Sequence, residues 1–424
     1  MLSRNLAPKL ISSLLVFSII WNTQAYSQTT PNIKTAHKPD TTTCFKSNND
    51  KFLQQLSSLD IKITAKEVSD YVKINKHSAC FLEASPKDTE SVSKLVNFAY
   101  QHNIPIRTQG NSHSGNGSSL PSDNELLIHT DLLNQISFGA SPEITVGTGI
   151  PIATIKDYVE DTSDYTLPVI NGGGAAPTLG GFISAGGISF SLNSEASKIY
   201  GGLWNHITQM TIVIGDGKVM TLKQDNELFP WVFGAMGQLG IITQAKLTLI
   251  PKNPANTALP IIHQANITYE HQDFLDENHR ALHWFNLFVT HAQAKQALQD
   301  INKLQADHST LLDYAPAYHW LIHANRFTPP LIFPSKNFEA VVIWGRQNEN
   351  FSKKELLQME KEFAALVKSK NYRRYIQVEA VASPQYYKAY FGEPLYQEYF
   401  SIKKKLDPKL LFNSNTVFKS QPSS

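Results

Sequence analysis

The sequence predicts a two-lobed α+β fold within a single folded unit. With 424 residues, 42% of them hydrophobic and 17% charged, the chain can bury a large core. Strand-like and helix-like patterns alternate up to Ile250, and Pro251-Lys252-Asn253-Pro254 then interrupts them. We therefore expect a first lobe over residues 45–255, a second lobe over 256–385, and a closing segment over 386–424.

The N-terminus has the pattern of a secretory signal. Arg4 and Lys9 form a basic region, and an apolar core follows over residues 10–20. That core is too short to cross a bilayer comfortably, so no membrane span is expected after cleavage. We expect a signal peptide over residues 1–27, a polar leader over 28–44, and a secreted or periplasmic location.

The chain contains two cysteines, Cys44 and Cys80. In an oxidising compartment the two could form a disulfide that ties the leader to the first strand region. They could equally be two separate thiols, because sequence alone does not place the two Cα atoms. The sequence leaves both readings open.

A strand, helix, strand unit precedes the most informative loop. Residues 79–82 have the composition of a short strand, and Ser85-Pro86 is expected to start a helix with one apolar face. A second strand over residues 104–107 then enters the loop directly. Further strands are expected at residues 126–129, 144–146 and 211–214, the last closed by the turn 215–217.

The loop over residues 107–117 reads Arg-Thr-Gln-Gly-Asn-Ser-His-Ser-Gly-Asn-Gly. Glycines allow positive φ and let successive backbone N–H groups converge on one point, which forms a cradle for phosphate oxygens. A histidine, His113, lies within this cradle. The combination suggests a tethered, phosphate-containing cofactor.

A second glycine-rich segment, with seven glycines over residues 172–187, lies too far along the chain to belong to the first loop. Two separate cradles could bind a pyrophosphate from both sides. The first loop lacks a following helical pattern, which disfavours the nicotinamide-binding Gly-x-Gly-x-x-Gly turn.

Three motifs in this order resemble the FAD-binding half of the vanillyl-alcohol oxidase superfamily, a PCMH-type domain: residues 110–117, 178–188 and 234–243. Within that superfamily the chain is most similar to cytokinin dehydrogenases. The segments that carry this second resemblance are residues 274–276, 283–289, 390–392, 403–408 and 411–413. The likeness runs from about Ala79 to Phe418, with gaps.

The resemblance implies an FAD-binding PCMH-type fold with a smaller substrate-cap lobe, and a closing segment that returns to the FAD-binding lobe. It also implies that His113 bonds covalently to the 8α-methyl group of FAD. A neutral imidazole is a good nucleophile near neutral pH, which suits that role. Taken alone, a histidine in a polar loop is more often an ordinary surface residue.

The resemblance carries further cofactor contacts onto this chain. They are backbone contacts to the pyrophosphate and flavin, and the glycines among them could instead serve only to make tight turns. The predicted contact residues are Gly110, Asn111, Ser112, Ser114, Gly115, Asn116, Thr178, Gly180, Gly181 and Gly186, with Gly240 and Ile242 near the adenosine end.

The expected chemistry is hydride transfer from a substrate C–H beside nitrogen or oxygen to flavin N5, with a base that accepts the N–H or O–H proton. The catalytic aspartate of cytokinin dehydrogenases matches Gly173 here, so no carboxylate is available at that place. Candidate replacement bases are Glu195, His206 and Glu379, each of which could also be an ordinary solvated side chain. Asn286 is expected to line the substrate pocket with Trp284, although aromatic residues are more often plain core.

The sequence therefore predicts an exported FAD-linked oxidoreductase for a small-molecule substrate, with oxygen or a quinone as electron acceptor. An N6-substituted adenine or another amine is the first substrate hypothesis. An alcohol or sugar, as in alditol or aldonolactone oxidases, is the second, and a flavin-binding protein without turnover is the third. A net charge of +2 gives no indication of a basic surface for nucleic acid. No metal site is predicted.

Overall fold

A computed structural model describes part of the chain in eleven stretches, all within one compact unit spanning residues 38–424. The described residues are 45, 50–71, 74–139, 142–170, 177–188, 199–252, 264–269, 280–322, 327–334, 337–376 and 383–419. The predicted signal peptide and leader lie outside them. Among the helices in these stretches, none is both long and apolar enough to cross a bilayer.

The architecture is mixed α+β, which confirms the predicted class. The strands, in chain order, are β1 (Lys62–Ser69), β2 (Lys76–Ala84), β3 (Ile106–Gln109), β4 (Leu126–His129), β5 (Gln135–Phe138), β6 (Glu143–Gly147), β7 (Tyr165–Thr166), β8 (Ile207–Val213), β9 (Val219–Lys223), β10 (Ile241–Thr248), β11 (Ile250–Pro251), β12 (Gln264–Asn266), β13 (Leu282–Val289), β14 (Leu312–Tyr314), β15 (Tyr318–Ile322), β16 (Phe338–Gln347) and β17 (Arg373–Arg374). The α-helices of the described residues are α1 (Asp50–Ser58), α2 (Thr89–His102), α3 (Ile152–Thr162), α4 (Leu179–Ala185), α5 (Phe229–Val232), α6 (Ala294–Asp307), α7 (Lys353–Lys370), α8 (Pro384–Phe391) and α9 (Glu393–Leu406).

The first sheet has the strand order β1-β2-β4-β3, in which β4 runs parallel to both β2 and β3. Helix α2 connects β2 to β3 and buries its apolar face against them, because Val92, Val96 and Ala99 recur at helical spacing. The helix begins at Thr89 rather than at Ser85. Asp88 is the residue that caps it, since the Asp88 carboxylate accepts a hydrogen bond from the Ser91 N–H at 2.7 Å.

The second sheet is antiparallel, with the order β12-β5-β6-β10-β8-β9. Its strands alternate buried and partly exposed residues, and the largest apolar cluster of the described residues packs against it together with α3 and α4. Strand β12 pairs with β5 over residues 264–266, although these residues were expected in the second lobe.

The third sheet lies beyond this point in the chain and has the order β14-β16-β13-β17, with β15 also paired to β16. Helices α6 and α7 bury apolar residues against it, among them Ile301 and Phe363. In the register of β13 and β16, Trp284 lies opposite Trp344 and Asn286 opposite Val342. This pairing sets two side chains of each strand on one face of the sheet.

The closing segment contacts the first sheet. The Ile106 N–H donates to the Leu411 carbonyl at 2.8 Å, and the Asn413 N–H donates to the Ile106 carbonyl at 2.8 Å. A buried ion pair lies at the end of α9, just before this contact, because Lys403 Nζ lies 2.7 Å from an Asp407 carboxylate oxygen. That carboxylate also accepts the N–H groups of Leu411 and Phe412.

The start of the folded part contains a β-hairpin that was not predicted in full. Strands β1 and β2 pair antiparallel over their whole length, from Lys62 with Glu83 to Ser69 with Lys76. Cys80, in β2, is disulfide-bonded. The chain's other cysteine, Cys44, lies outside the described residues.

Candidate functional site

A cavity of about 340 Å³ lies where the glycine-rich loops meet the third sheet. This volume is within the range of about 300–1,000 Å³ that small-molecule sites occupy. The residues around it come from the His113 loop, from α4, from the segment after α5, from the third sheet and from the closing segment. They include Thr108, Gly110, Asn111, Ser112, His113, Ser114, Ser118, Ser119, Thr148, Thr178, Gly180, Gly181, Gly240, Ile242, Trp284, Asn286, Val342, Trp344, Tyr375 and Asn413.

The His113 loop has the backbone of an anion-binding turn. Ser112 adopts φ = 53°, in the left-handed region, which is a conformation found where successive N–H groups converge. Gly110 must lack a side chain, because a Cβ there would lie 2.4 Å from Thr178 Oγ1. The two glycine-rich segments therefore touch at this point, as two cradles on one ligand require.

Two of the predicted contacts in this loop lie away from the cavity. The side chain of Asn116 accepts a hydrogen bond from Ser114 Oγ at 2.5 Å and from the Ser118 N–H at 3.0 Å. Its amide nitrogen donates to the Ile376 carbonyl at 3.2 Å. Asn116 thus stabilises the loop conformation through hydrogen bonds outside the cavity lining. The neighbouring Gly115 is likewise absent from the cavity lining, and its carbonyl faces Asn75.

The second glycine-rich segment enters the cavity at the start of α4. Thr178 caps this helix, because its Oγ1 accepts a hydrogen bond from the Gly181 N–H at 3.3 Å. Gly180 packs on Thr148, where an added Cβ would lie 3.1 Å from the threonine Cβ. Gly186, by contrast, lies outside the lining and faces Ile332. Gly173 lies outside the described residues.

The third motif also lines the cavity. Gly240 adopts φ = 148° and passes close to the carbonyl of Val213, which leaves no room for a side chain. The carbonyl of Ile242 accepts a hydrogen bond from Thr148 Oγ1 at 2.5 Å. All three motifs therefore meet at one cavity, although their sequence positions are far apart.

His113 is buried among aromatic rings. Its ring centroid lies 4.9 Å from that of Tyr71 and 5.7 Å from that of Trp284. Burial lowers the pKa of the His113 imidazole to about 3, because a charged ring would lose its hydration there. The imidazole is therefore neutral at physiological pH, the form that can act as a nucleophile.

The third sheet supplies an aromatic wall with one polar side chain. Asn286 is fully buried, and among the described residues neither its Oδ1 nor its Nδ2 has a hydrogen-bond partner. Trp284, Trp344 and Tyr375 lie around it. A buried amide without partners costs free energy, so its position at a cavity indicates that a ligand completes its hydrogen bonds.

The cavity lining carries no Lys, Arg, Asp or Glu among the residues that the structure describes. Tyr375 also stays uncharged, because burial raises its pKa well above the usual range. Two buried cations of the described residues are engaged elsewhere: Arg107 pairs with Glu125 at 2.8 Å and Arg374 with Glu360 at 3.0 Å. The described lining is thus largely apolar, with polar groups but no Lys, Arg, Asp or Glu.

Of the three predicted bases, only His206 lies in the described part of the chain, and the structure places it outside the cavity lining. The His206 ring donates a hydrogen bond from Nε2 to the Tyr200 carbonyl, 2.9 Å away, and it does not belong to the lining. Burial lowers its pKa. Glu195 and Glu379 lie outside the described residues, so their assignment as bases stays a prediction.

Several residues in or beside the cavity lining were missed by sequence reasoning. Tyr71 reaches His113 from a hairpin, and Trp344 and Tyr375 reach the cavity through sheet pairing. A signal existed for part of this set: Trp284 and Asn286 are two apart, as are Val342 and Trp344, and a period of two places each pair on one strand face. The pairing register that brings them together is not a local property.

The chemistry of the lining fits FAD. Thr108 Oγ1 and Ser119 Oγ are buried hydroxyls without a partner among the described residues, and both face the cavity beside the left-handed turn at Ser112. Hydroxyl and amide donors of this kind bind the oxygens of a pyrophosphate. The aromatic wall suits a flat ring system.

Comparison with known proteins supports this fit. Residues 82–223 match the family model described as FAD binding domain. D-2-hydroxyglutarate dehydrogenase of Danio rerio is 29% identical over 180 residues, which cover 40% of this chain and 32% of that protein. D-lactate dehydrogenase of Archaeoglobus fulgidus is 26% identical over 191 residues, 43% of this chain and 41% of that protein.

A third relative, the FAD-linked oxidoreductase easE of Epichloe festucae var. lolii, is 26% identical over 189 residues, 40% of this chain and 29% of its own length. The chain spans less than half the length of each of these relatives. The match and the mixed α+β architecture agree with the fold predicted from the sequence. Residues 82–223 therefore correspond to an FAD-binding domain within this α+β fold.

Proposed function

We propose that the protein is an exported FAD-linked oxidoreductase that oxidises an uncharged, flat substrate. The single observation that carries the substrate class is the uncharged aromatic wall around Asn286, whose buried amide offers one donor group and one acceptor without partners among the described residues. When bound, FAD would supply the redox chemistry by taking a hydride from a substrate C–H beside nitrogen.

His113 is proposed as the covalent attachment point of the flavin. It lies in the loop that borders the cavity, and its imidazole is neutral because burial lowers its pKa. Some members of the superfamily that the chain resembles attach the flavin a second time, through a cysteine in the later glycine-rich segment. The matching position here is about Ala176, so no second attachment is expected. A permanent link would keep the cofactor from being lost outside the cell.

Asn286 would orient the substrate and Trp284 would pack on its face. An amide side chain can pair with a neighbouring donor and acceptor on the edge of a heterocycle. This arrangement suits an amine such as an N6-substituted adenine, the substrate class implied by the resemblance to cytokinin dehydrogenases. Glu195 and Glu379 are the proposed carboxylate bases, and oxygen or a quinone the proposed electron acceptor.

The relatives favour a second candidate, oxidation of a 2-hydroxy acid, because two of them are named as dehydrogenases of D-2-hydroxyglutarate and D-lactate. Such substrates carry a carboxylate, which proteins usually bind with Arg or Lys. The described lining offers no such cation. We therefore rank 2-hydroxy acids below uncharged amines, and alditols or aldonolactones between them.

Anaerobic reduction of the flavin tests this ranking. Purified protein is mixed without oxygen with an N6-substituted adenine, an alditol, an aldonolactone, D-lactate and D-2-hydroxyglutarate, and the loss of flavin absorbance is followed. We expect bleaching by the adenine. Bleaching by only the hydroxy acids would replace the first candidate with the second, and bleaching by none would favour a flavin-binding protein without turnover.

A further inference from the structure

The turn of the first β-hairpin is described at Asp70, Tyr71, Ile74 and Asn75, which we call the hairpin tip. Within it, the buried Asp70 carboxylate accepts hydrogen bonds from the N–H groups of Ile74 and Asn75 at 3.0 and 3.2 Å. It also accepts one from Asn75 Nδ2 at 2.6 Å. These three hydrogen bonds hold the two sides of the hairpin tip together.

The hairpin tip contacts the His113 loop. Asn75 Nδ2 also faces the Gly115 carbonyl at 3.5 Å, and the ring of Tyr71 lies 4.9 Å from the imidazole of His113. The backbone of the loop approaches the tip closely enough that a Cβ on Gly117 would lie 3.2 Å from Asn75. The loop therefore rests on the tip over several residues.

The same tip contacts the third sheet. The Tyr71 hydroxyl accepts a hydrogen bond from the Leu282 N–H at 3.1 Å, at the first residue of β13. Tyr71 and Ile74 are buried in the apolar cluster of that sheet, and Lys353 Nζ donates to the Ile74 carbonyl. The tip thus links the strand that carries Trp284 to the loop that carries His113.

Three rings meet at this junction: Tyr71, His113 and Trp284. The centroid distances are 4.9 Å between Tyr71 and His113, 5.7 Å between His113 and Trp284, and 6.2 Å between Tyr71 and Trp284. Aromatic contacts at these separations have preferred angles and so restrict the rotation of each ring. Each of the two neighbouring rings therefore restricts the orientation of the imidazole.

We propose that Tyr71 is a positioning residue for covalent attachment of the flavin, because it holds the His113 ring against Trp284 and fixes the direction of its reactive nitrogen. This inference rests on the proposed role of His113. Its physical basis is that a small error in the placement of a nucleophile lowers the rate steeply. Tyr71 itself does not belong to the cavity lining.

The attachment step has a closed balance. A bond forms between an imidazole nitrogen and C8α of the flavin, while one C8α–H bond and the imidazole N–H bond break. The two electrons of the C–H bond pass to the isoalloxazine ring together with the two protons. Oxygen then accepts these two electrons and two protons as hydrogen peroxide, which restores the oxidised flavin.

The test compares Tyr71→Leu with Tyr71→Phe. Leucine removes the ring, whereas phenylalanine keeps the ring and loses only the hydroxyl that accepts from Leu282. Protein is purified at successive times after induction, and flavin that stays with acid-precipitated protein is separated from flavin that is released. We expect Tyr71→Leu to attach flavin about tenfold or more slowly while still binding it without a covalent bond, and Tyr71→Phe to behave like the unaltered protein.

Tyr372→Leu is the matched control. Tyr372 is a buried tyrosine of the same apolar cluster, its hydroxyl donates to Asp300 at 2.9 Å, and it is not one of the three rings of the junction. Its loss should lower the melting temperature without slowing attachment. If Tyr71→Leu fails to accumulate as folded protein, Tyr71→Met replaces it, because methionine fills the space without a ring.

The outcomes separate the two proposals. Absence of covalent flavin in the unaltered protein would overturn both the His113 link and the positioning role. Covalent flavin in the unaltered protein together with equally fast attachment in Tyr71→Leu would overturn the positioning role alone. Equal slowing by Tyr372→Leu would also overturn it, because the effect would then follow from general loss of packing.

Discussion

The two sides of the cavity hold their polar groups in different ways. The cofactor wall, formed by residues 108–119, 178–185 and 236–242, presents backbone and hydroxyl groups on loops and at a helix start. The sheet wall, formed by Trp284, Asn286, Val342, Trp344 and Tyr375, presents side chains on or beside paired strands. The shape of the cofactor wall depends on the backbone conformations that its glycines allow. The shape of the sheet wall depends on which residues the strand register places side by side.

This difference assigns cofactor binding to one wall and substrate selectivity to the other. Backbone groups of the cofactor wall cannot be altered by ordinary substitution, so that wall suits a ligand that never changes. Side chains of the sheet wall can be replaced without moving the strands. We therefore expect substitutions in the first wall to affect flavin content, and those in the second to affect the choice of substrate.

The largest expected effect is that of Gly110→Ala on flavin content. The new Cβ would lie 2.4 Å from Thr178 Oγ1, and overpacking of this kind costs about 1–3 kcal/mol. We expect non-covalent FAD affinity to fall roughly 10–100-fold. Affinity is measured by titration of flavin-free protein that also carries His113→Ala, so that no covalent link obscures it.

Thr178→Ala provides the control for this clash. It removes the oxygen and methyl group that the Gly110→Ala side chain would meet, so the double variant should bind FAD better than Gly110→Ala alone. Equal affinities of the Gly110→Ala protein and its parent would contradict the close approach of the two glycine-rich segments.

The next effect is expected at Asn286, where stability and function should change in opposite directions. Leucine has a similar size and removes two buried polar atoms that lack partners among the described residues. Asn286→Leu should therefore be neutral or up to about 1–3 kcal/mol more stable to unfolding. For the best substrate of the panel, kcat/KM should fall about 10–100-fold with flavin content unchanged.

Asn116→Leu is the matched control, because Asn116 is a buried asparagine whose amide is hydrogen-bonded to Ser114, Ser118 and Ile376. It should lose about 1–3 kcal/mol of stability. Thermal unfolding and steady-state kinetics measure both variants. A loss of stability in Asn286→Leu as large as that in Asn116→Leu would show that the Asn286 amide already has partners.

The sequence predicted the cofactor wall more completely than the sheet wall. Glycine-rich patterns indicated the first two motifs of the cofactor wall and the family resemblance the third, and their backbone features are local, as at Ser112 and Gly240. Trp284 and Asn286 were identified by resemblance. Trp344 and Tyr71 were not, since one depends on strand register and the other on a hairpin far from His113 in sequence.

Three predicted contacts of the cofactor wall lie outside the cavity lining. Gly115, Asn116 and Gly186 belong to the predicted motifs, but none of them is among the residues that line the cavity. A motif fixes the course of the chain more closely than it fixes which side of the chain meets the ligand. His206 was chosen for its chemistry alone, and its ring is engaged by the Tyr200 carbonyl.

A moderate effect is expected in the dependence of stability on pH. Burial lowers the pKa of His113 from 6.5 to about 3, so between these values the unfolded chain binds a proton that the folded protein does not. His113 therefore makes the flavin-free protein less stable as pH falls through this window, by up to about 1.4 kcal/mol per pH unit. The contribution is absent above pH 6.5.

His113→Gln should remove this contribution. Urea unfolding of flavin-free protein at several pH values between 7 and 4 should give a shallower slope for the variant than for the unaltered protein. Glu83, whose pKa is lowered to about 2 with Lys66 and His129 as hydrogen-bonding partners, adds a separate loss below about pH 4.5 in both proteins. Identical slopes would contradict a buried, neutral His113.

The smallest effect should come from a single hydroxyl of the cofactor wall. Ser119 Oγ is buried at the cavity without a partner among the described residues, so a bound phosphate oxygen would gain a hydrogen bond worth about 0.5–1.5 kcal/mol. Ser119→Ala should weaken non-covalent FAD binding about 2–10-fold and leave the flavin-free protein as stable as before.

Titration in the His113→Ala background measures the FAD affinity. Ser93→Ala, which removes a hydroxyl bonded to the Gly217 carbonyl, is the control. If both serine variants bind FAD equally well, the Ser119 hydroxyl does not contact the cofactor, and the pyrophosphate must lie nearer to α4.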